Sequence, residues 1–238
     1  LLTVRYNQLG VRPGDRLLDF GCGGGRHSFE AMRRGAVVTS VDSDREALVG
    51  ANGWVAAMLD EDKETAENGG QGHVVAADGM ALPFPDACFE KVIAAEVLEH
   101  IPDDDKVLKE LARVLRPAGV MAVTVPRWYP ELVNWALSSQ YHKTPGGHVR
   151  IYRRGQLRDR LRRAGLVPLS GHHAHALHSP YWWLRCAVGM DRDANPLVKA
   201  YHRLLVWDIT AAKPLTRWPE AALNPVLGKS LVVYARKP

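Results

Sequence analysis

The chain has 238 residues, 46% of them apolar, a formal net charge of +5 and three cysteines. That length carries one full hydrophobic core, with any further segment as an elaboration on it. No apolar run approaches the roughly 18 residues of a membrane span, the first residues lack the layout of a secretory leader, and Cys22, Cys88 and Cys186 are too scattered for a disulfide framework or a metal knuckle; a reducing, cytoplasmic setting is the expectation.

An apolar strand is expected over 16–20, running into Asp19 and then Gly21, Gly23 and Gly25 at alternate positions. A helix over 26–34 follows. Glycines at that spacing let the chain turn tightly and let a ligand approach the main chain with no Cβ in the way. Taken alone, the loop suits either a dinucleotide phosphate or the carboxylate end of S-adenosylmethionine (SAM). The β-branched run 37–42 predicts a second strand ending at Asp42, with Ser43 or Asp44 capping the next helix. Helix is expected over 54–67, a loop over 68–72, and a third strand over 73–78 ending at Asp78. A loop at 82–86 precedes a fourth strand over 91–95. Residues 103–116 have helical spacing, 117–119 read as a turn, and 120–125 as a fifth strand. This alternation implies a parallel sheet covered on both faces by right-handed crossovers.

Beyond Pro126 the pattern loosens. Helices are expected over 131–139, 156–164 and 197–209, a loop over 140–150, and strands over 166–170 and 230–235. Seven of the fourteen residues 150–163 are arginine, which raises a nucleic-acid surface. No aromatic ladder is interleaved with them, so a solvated helix face is the favoured reading and a nucleic-acid partner is disfavoured.

Asp19–Gly25, Asp42, Asp78 and 96–100 all fall at carboxyl ends of parallel strands, where such sheets bind ligands. Asp42, about twenty residues past the glycine turn, has the spacing of an acid that accepts from a ribose diol. Asp78 suits an adenine amino group, with Gly79 and Met80 lining the ring. Each acid read singly is as well explained as a helix cap; three in register favour a site.

Asp19-Phe20-Gly21-Cys22-Gly23-Gly24-Gly25 resembles the D-x-G-x-G-x-G motif of class I SAM-dependent methyltransferases. Asp42 resembles that family's ribose acid, and Ala77-Asp78-Gly79-Met80 its adenine-side segment. Glu96-Val97-Leu98-Glu99-His100 looks like the segment after the fourth strand in ubiquinone-biosynthesis-type members, and Leu115-Arg116-Pro117-Ala118-Gly119 like its L-[KR]-P-G-G turn with Ala118 for Gly. The resemblance covers roughly 10–125. It implies an α/β, Rossmann-like, seven-stranded sheet with helices on both faces, closed by an antiparallel hairpin from 166–170 and 230–235. The whole chain, 1–238, would be one domain: a SAM-binding core at 10–125, acceptor-binding elaborations at 126–229, and a final strand at 230–238. Cofactor-binding residues would be Asp19, Gly21, Cys22, Gly23, Asp42, Ser43, Asp78, Gly79, Met80 and Glu96.

Gly147-His148-Val149-Arg150-Ile151-Tyr152, the 172–183 stretch, Leu204-Leu205-Val206-Trp207-Asp208 and Asn224-Pro225-Val226-Leu227-Gly228-Lys229 look like the O-methyltransferases of mycobacterial methylmannose polysaccharide. That resemblance implies a saccharide hydroxyl as acceptor. An alcohol is a poor nucleophile while protonated, so a general base is expected; the candidates are His148, His100 and His142. A catechol-type site would instead use a divalent metal such as Mg²⁺, and the sequence leaves the metal requirement open. Arg127, Trp128, Tyr152, His173, His175, Tyr181 and Trp182 are the expected acceptor-binding residues. His172, His173, His175 and His178 form a cluster with no carboxylate adjoining it in sequence; if the stretch is extended, His173 and His175 share a face. Rival readings are methylation of a phenol or quinone precursor, an RNA methyltransferase, and a SAM-binding regulator without catalysis. Oligomeric state is left open.

Overall fold

A computed structural model describes residues 2–143, 147–192, 194–211 and 214–238, with the side chains of 142, 143 and 214 outside that description. The first strand, β1 (Arg16–Phe20), is followed by helix α2 (Arg26–Arg33) and β2 (Val37–Asp42); a short α1 (Tyr6–Leu9) precedes them. Then come α3 (Arg45–Glu61), α4 (Lys63–Asn68), β3 (Gln71–Ala76), β4 (Phe89–Ala95), a 3-10 turn at Leu98–His100, α5 (Asp104–Val114) and β5 (Leu115–Pro126). The second half holds α6 (Trp128–Leu137), α7 (Ser139–Lys143), α8 (Arg154–Arg163), β6 (Val167–Ala174), α9 (His178–Val188), α10 (Pro196–Ala211), α11 (Pro214–Leu227) and β7 (Ser230–Arg236). No described helix is long and apolar enough to cross a membrane.

The seven strands lie in the order β3-β2-β1-β4-β5-β7-β6. β1 to β5 are parallel, and β7 runs antiparallel between β5 and β6. Neighbours along one strand go to opposite cores: Leu18 joins Val92, Leu108 and Leu111, whereas Leu17 joins Met32, Val38 and Ile93. Burial on both faces is why these strands read as apolar runs rather than as alternation. Strand order reverses between β1 and β4, and the crevice at their carboxyl ends is where such sheets take ligands.

Several expected boundaries move for local reasons. The helix expected over 54–67 breaks at Asp62, whose extended backbone and side chain cap α4 by accepting from the Thr65 N–H (3.1 Å) and hydroxyl (2.6 Å). The third strand stops at Ala76, paired with Asp42, so Asp78 lies beyond it. The 117–119 turn is a bulge inside β5: Phe89 pairs with Leu115, yet Lys91 pairs with Val120. Ala118 there has φ +60° and donates to the Lys237 carbonyl at 3.0 Å. Part of the 140–150 loop is α7, and α6 begins at Trp128 rather than 131. β6 runs on to Ala174, and His175, at φ +65°, turns out of it, so His173 and His175 do not continue one extended face. α11 was hidden by Pro219 and Pro225 inside it, residues that usually end a helix.

The arginine run is partly engaged by the fold, while Arg153, Arg154, Arg162 and Arg163 stay exposed, in keeping with the solvated face. Arg150 and Arg160 both pair with the buried Asp104, which also accepts from the Tyr152 hydroxyl. Arg160 and Arg163 reach Asp105 at 2.9 and 3.2 Å, and Arg162 reaches Asp159 at 2.6 Å. The Arg160 and Arg163 contacts dock α8 on α5, and the Arg162 pair lies within α8.

Candidate active site

The glycine loop closes on β2. The N–H groups of Gly21 and Cys22 donate to the Val41 carbonyl at 2.8 and 3.0 Å, and Gly23 N–H to Asp42 Oδ2 at 2.9 Å. The first loop donors are therefore spent within the protein, and what the glycines provide is room. A Cβ on Gly21 (φ +68°) would lie 2.5 Å from Val97 Cγ2, and one on Gly79 2.3 Å from Phe20 Cζ. At Gly23 a Cβ would meet open space, where the cavity begins.

Asp19 does not border that cavity. It is buried beneath the loop, accepts from the Ser28 hydroxyl at 2.6 Å, and so bolts the loop to α2. Burial pushes its carboxyl up to about 6, against the Ser28 hydrogen bond and the Arg26 charge. Cys22 also points inward, and burial pushes its thiol up to about 12.

A cavity of about 740 Å³ is lined by Gly21, Gly23, Asp42, Ser43, Asp78, Gly79, Met80, Glu96 and His100, with Phe20, Val97, Ile101 and Pro102 among its apolar walls. Eight of the ten residues expected to bind cofactor thus converge on one space. Asp42 Oδ1 and Oδ2 each accept one backbone N–H, from Asp44 (3.0 Å) and Gly23 (2.9 Å). Each oxygen keeps a lone pair, which a vicinal diol can use. Asp78 Oδ1 accepts from Met80 N–H at 2.9 Å, which pins the segment along the cavity wall. Glu96 has φ +56° and accepts from the Thr124 hydroxyl at 2.8 Å. Among the described residues, four carboxylates, Asp42, Asp44, Asp78 and Glu96, and no lysine or arginine line the space. A pyrophosphate would be repelled there, while a sulfonium or ammonium would be attracted; this decides between the two ligands the glycine loop had left open.

The 3-10 turn after β4 joins this cavity to the second half of the chain. His100 Nδ1 lies 3.3 Å from the Gly147 carbonyl, and Val149 N–H donates to the Glu99 carbonyl at 2.8 Å. The His100 and His148 rings are 5.0 Å apart. His148 faces a second hollow of about 290 Å³ with Tyr141, Gly147, Trp182, Met190 and Lys229. Its Nδ1 lies 2.5 Å from Glu131 Oε1. Glu131 is buried in the first turn of α6 and also accepts from Trp135 Nε1 (3.1 Å), Tyr141 Oη (3.2 Å) and Asn134 Nδ2 (3.3 Å). Burial pushes its carboxyl up, but the His148 hydrogen bond and charge, with Lys229 and Asn134, outweigh that and hold it below the usual range. An ionised Glu131 fixes the proton on His148 Nδ1 and leaves Nε2 as the basic nitrogen.

Glu99 is fully buried behind His100, and neither carboxylate oxygen has a hydrogen-bond partner among the described residues. Burial, then Glu96 and Glu131, push its carboxyl well up. Atoms of Glu99, His100 and His148 lie within 4.8 Å of one another and could hold a metal ion. Two imidazoles and one carboxylate suit zinc-like ions better than Mg²⁺, which favours oxygen ligands.

Of the expected acceptor residues, only Trp182 reaches this hollow. Arg127 caps α11, donating to the carbonyls of Pro225 (3.0 Å) and Val226 (2.9 Å). Trp128 sits at the surface under the Arg153 guanidinium. Tyr152 is core, its hydroxyl against Asp104. Tyr181 packs α9 on α10 with Val198 and Leu205. His173 and His175 belong to the far edge of the sheet, with β5 and β7 between them and β4. His142 lies on α7, and its side chain falls outside the described residues. The sequence reading missed Glu131 and Lys229.

Residues 18–123 match the family described as a methyltransferase domain. The 27-O-demethylrifamycin SV methyltransferase of Amycolatopsis mediterranei (strain S699) is 33% identical over 184 residues, 76% of this chain and 65% of that relative. The chain thus spans less than two thirds of that protein, and 40% of the methyltransferase GfsG of Streptomyces halstedii. The ubiquinone biosynthesis O-methyltransferase of Aeromonas salmonicida (strain A449) is 30% identical over 196 residues, 78% of this chain and 76% of the relative. Among solved structures, a SAM-dependent methyltransferase from Methanosarcina mazei aligns with TM-score 0.65 at 16% identity over 99% of both chains. The [4+2]-cyclase SpnF aligns with TM-score 0.61 at 20% identity, over 98% of this chain and 78% of that one.

Proposed function

The chain belongs to the class I SAM-dependent methyltransferases, and from that premise we propose that it methylates a hydroxyl of a small-molecule acceptor with His148 as general base. The observation that carries this is the His148–Glu131 pair standing against His100, where the cofactor cavity meets the second hollow. When bound, SAM supplies an electrophilic methyl group on a sulfonium. Asp42 would hold the ribose diol, Asp78 and Met80 the adenine, and Glu96 would face the cationic end. His148 Nε2 would take the proton of the acceptor hydroxyl, and Glu131 would stabilise the imidazolium that results. The reaction neutralises charge, so alignment of the two hollows supplies much of the acceleration, up to about 7–11 kcal/mol in well-oriented systems.

Residues 126–229 form the acceptor side in this reading, and a saccharide hydroxyl is the finer proposal. Trp182 offers an aromatic face beside Lys229 and Tyr141, the mixture of ring and polar groups that sugars use. The relatives' names point to the competing choices, a demethylrifamycin and an intermediate of ubiquinone biosynthesis. A second mechanism is favoured by Glu99, His100 and His148 lying within reach of one ion: a divalent metal there would acidify the hydroxyl. A cytoplasmic setting fits the free thiols of Cys22, Cys88 and Cys186. Labelled-methyl transfer to manno-oligosaccharides, a demethylated rifamycin, phenols and RNA tests the acceptor, with and without a chelator. Transfer only to phenols or RNA would reject the saccharide, and SAM binding with no transfer to any hydroxyl would reject the O-methyltransferase.

A further inference from the structure

At the edge of the sheet farthest from β3, three side chains from two distant segments converge. His175 lies in the turn between β6 and α9, His178 opens α9, and Glu220 is on α11. One ligand atom of each lies within 4.8 Å of the others. His175 Nδ1 is 3.8 Å from Glu220 Oε1, too far for a hydrogen bond. Two zinc–ligand bonds of about 2.0–2.2 Å span up to about 4.4 Å, so a metal ion bridges that gap where a proton does not.

The atoms facing the centre are the unpartnered ones. His178 Nδ1 and Glu220 Oε1 are buried and have no hydrogen-bond partner among the described residues. The outward atoms are held: His175 Nε2 pairs with the Thr3 hydroxyl at 3.0 Å, and Glu220 Oε2 accepts from Arg217 Nη1 at 3.2 Å. Two of the three ligands are thus fixed from behind, as ligands of a metal site usually are. Charge points the same way. Asp208 is fully buried and faces Arg217 Nη2 at 3.6 Å, with neither carboxylate oxygen hydrogen-bonded among the described residues. Among the described residues, these two buried carboxylates share the Arg217 guanidinium.

We propose that His175, His178 and Glu220 bind a zinc-type dication, at a site separate from the cofactor cavity, which clamps α11 to the turn between β6 and α9. Two imidazoles and a carboxylate select Zn²⁺ or a similar ion over Mg²⁺ or Ca²⁺. The clamp reinforces contacts already made there, where Ala176 N–H donates to Asn224 Oδ1 at 3.0 Å and the Ser179 hydroxyl to the Leu227 carbonyl at 2.7 Å.

The test is Zn²⁺ titration of the chelator-stripped protein by calorimetry, with Co²⁺ absorption as a second readout. The His100–His148 group is a rival binder, so His148→Ala is titrated alongside. Binding in the wild type and in His148→Ala, weakened at least about tenfold in Glu220→Gln and in His178→Gln, supports the clamp. The Glu220→Gln change is isosteric, which keeps the test valid if the histidine variant fails to fold. No Zn²⁺ binding by the wild type, wild-type affinity in Glu220→Gln, or loss of binding in His148→Ala overturns it.

Discussion

His148→Ala should lower kcat roughly 10²–10⁴-fold, the usual worth of a positioned acid–base group, with SAM affinity measured by calorimetry unchanged. Glu131→Gln should lower kcat by less, because the amide oxygen still accepts from Nδ1–H but cannot offset the imidazolium charge. The two loop glycines should separate by readout. Gly21→Ala drives a Cβ into Val97 and should lose stability, seen in chemical denaturation. At Gly23 a Cβ meets open space, so the alanine variant should lose about 1–2 kcal/mol for its left-handed backbone. Its cofactor affinity should fall more sharply, because the methyl occupies the ligand's space. Asp19 makes a pH prediction. Its carboxyl is pushed by burial up to about 6, above its unfolded value near 3.8. The folded state therefore binds the proton more tightly, and this stability is fully present below pH 3.8 and lost as pH rises through 6. The window corresponds to about 3 kcal/mol. Asp19→Asn should remove that component, which denaturation of both proteins from pH 4 to 7 would reveal as a difference that grows with pH.

Among the elements, the junction of α5 and α8 has one fully enclosed carboxylate, Asp104, beside the exposed Asp105. Asp104→Ala would leave Arg150, Arg160 and the Tyr152 hydroxyl facing a vacated, buried position, and should cost about 3–5 kcal/mol, read from urea midpoints. The same junction shows what the sequence left unread about arginine. Its spacing marked a charged helix face, but the acids that meet it lie about fifty residues earlier in the chain. The crevice at the strand ends was legible because its acids recur near the ends of successive strands, and the pattern of glycine, Asp42 and Asp78 is local to each element. The second hollow was not. Glu131 sits in the first turn of a helix, where an acid reads as a partner for the helix dipole. His173 and His175 looked adjacent to an acceptor because they follow the active-site half, yet β7 inserts between β5 and β6 and carries them to the far edge. No periodicity in a single strand reveals which neighbour will be placed beside it.

For the whole molecule, cofactor binding should appear as thermal stabilisation. At one hundred times Kd, the demethylated product S-adenosylhomocysteine should add about 2.7 kcal/mol. For a chain of this size that is a rise of roughly 5–11 °C in Tm by scanning calorimetry; no shift for any adenosyl ligand would count against the cavity. The two hollows are built from different stretches of chain, and their walls meet at His100 and His148. The pairing of Ala174 with Ser230 has a consequence for how such an enzyme can diversify. Everything from His175 to Lys229 leaves and rejoins the sheet at two residues that already sit side by side. Lengthening an excursion between fixed, adjacent ends adds little closure entropy. The segment, which carries Trp182 and Met190 of the second hollow, can therefore be exchanged as a cassette while the crevice at β1, β2 and β4 stays as it is.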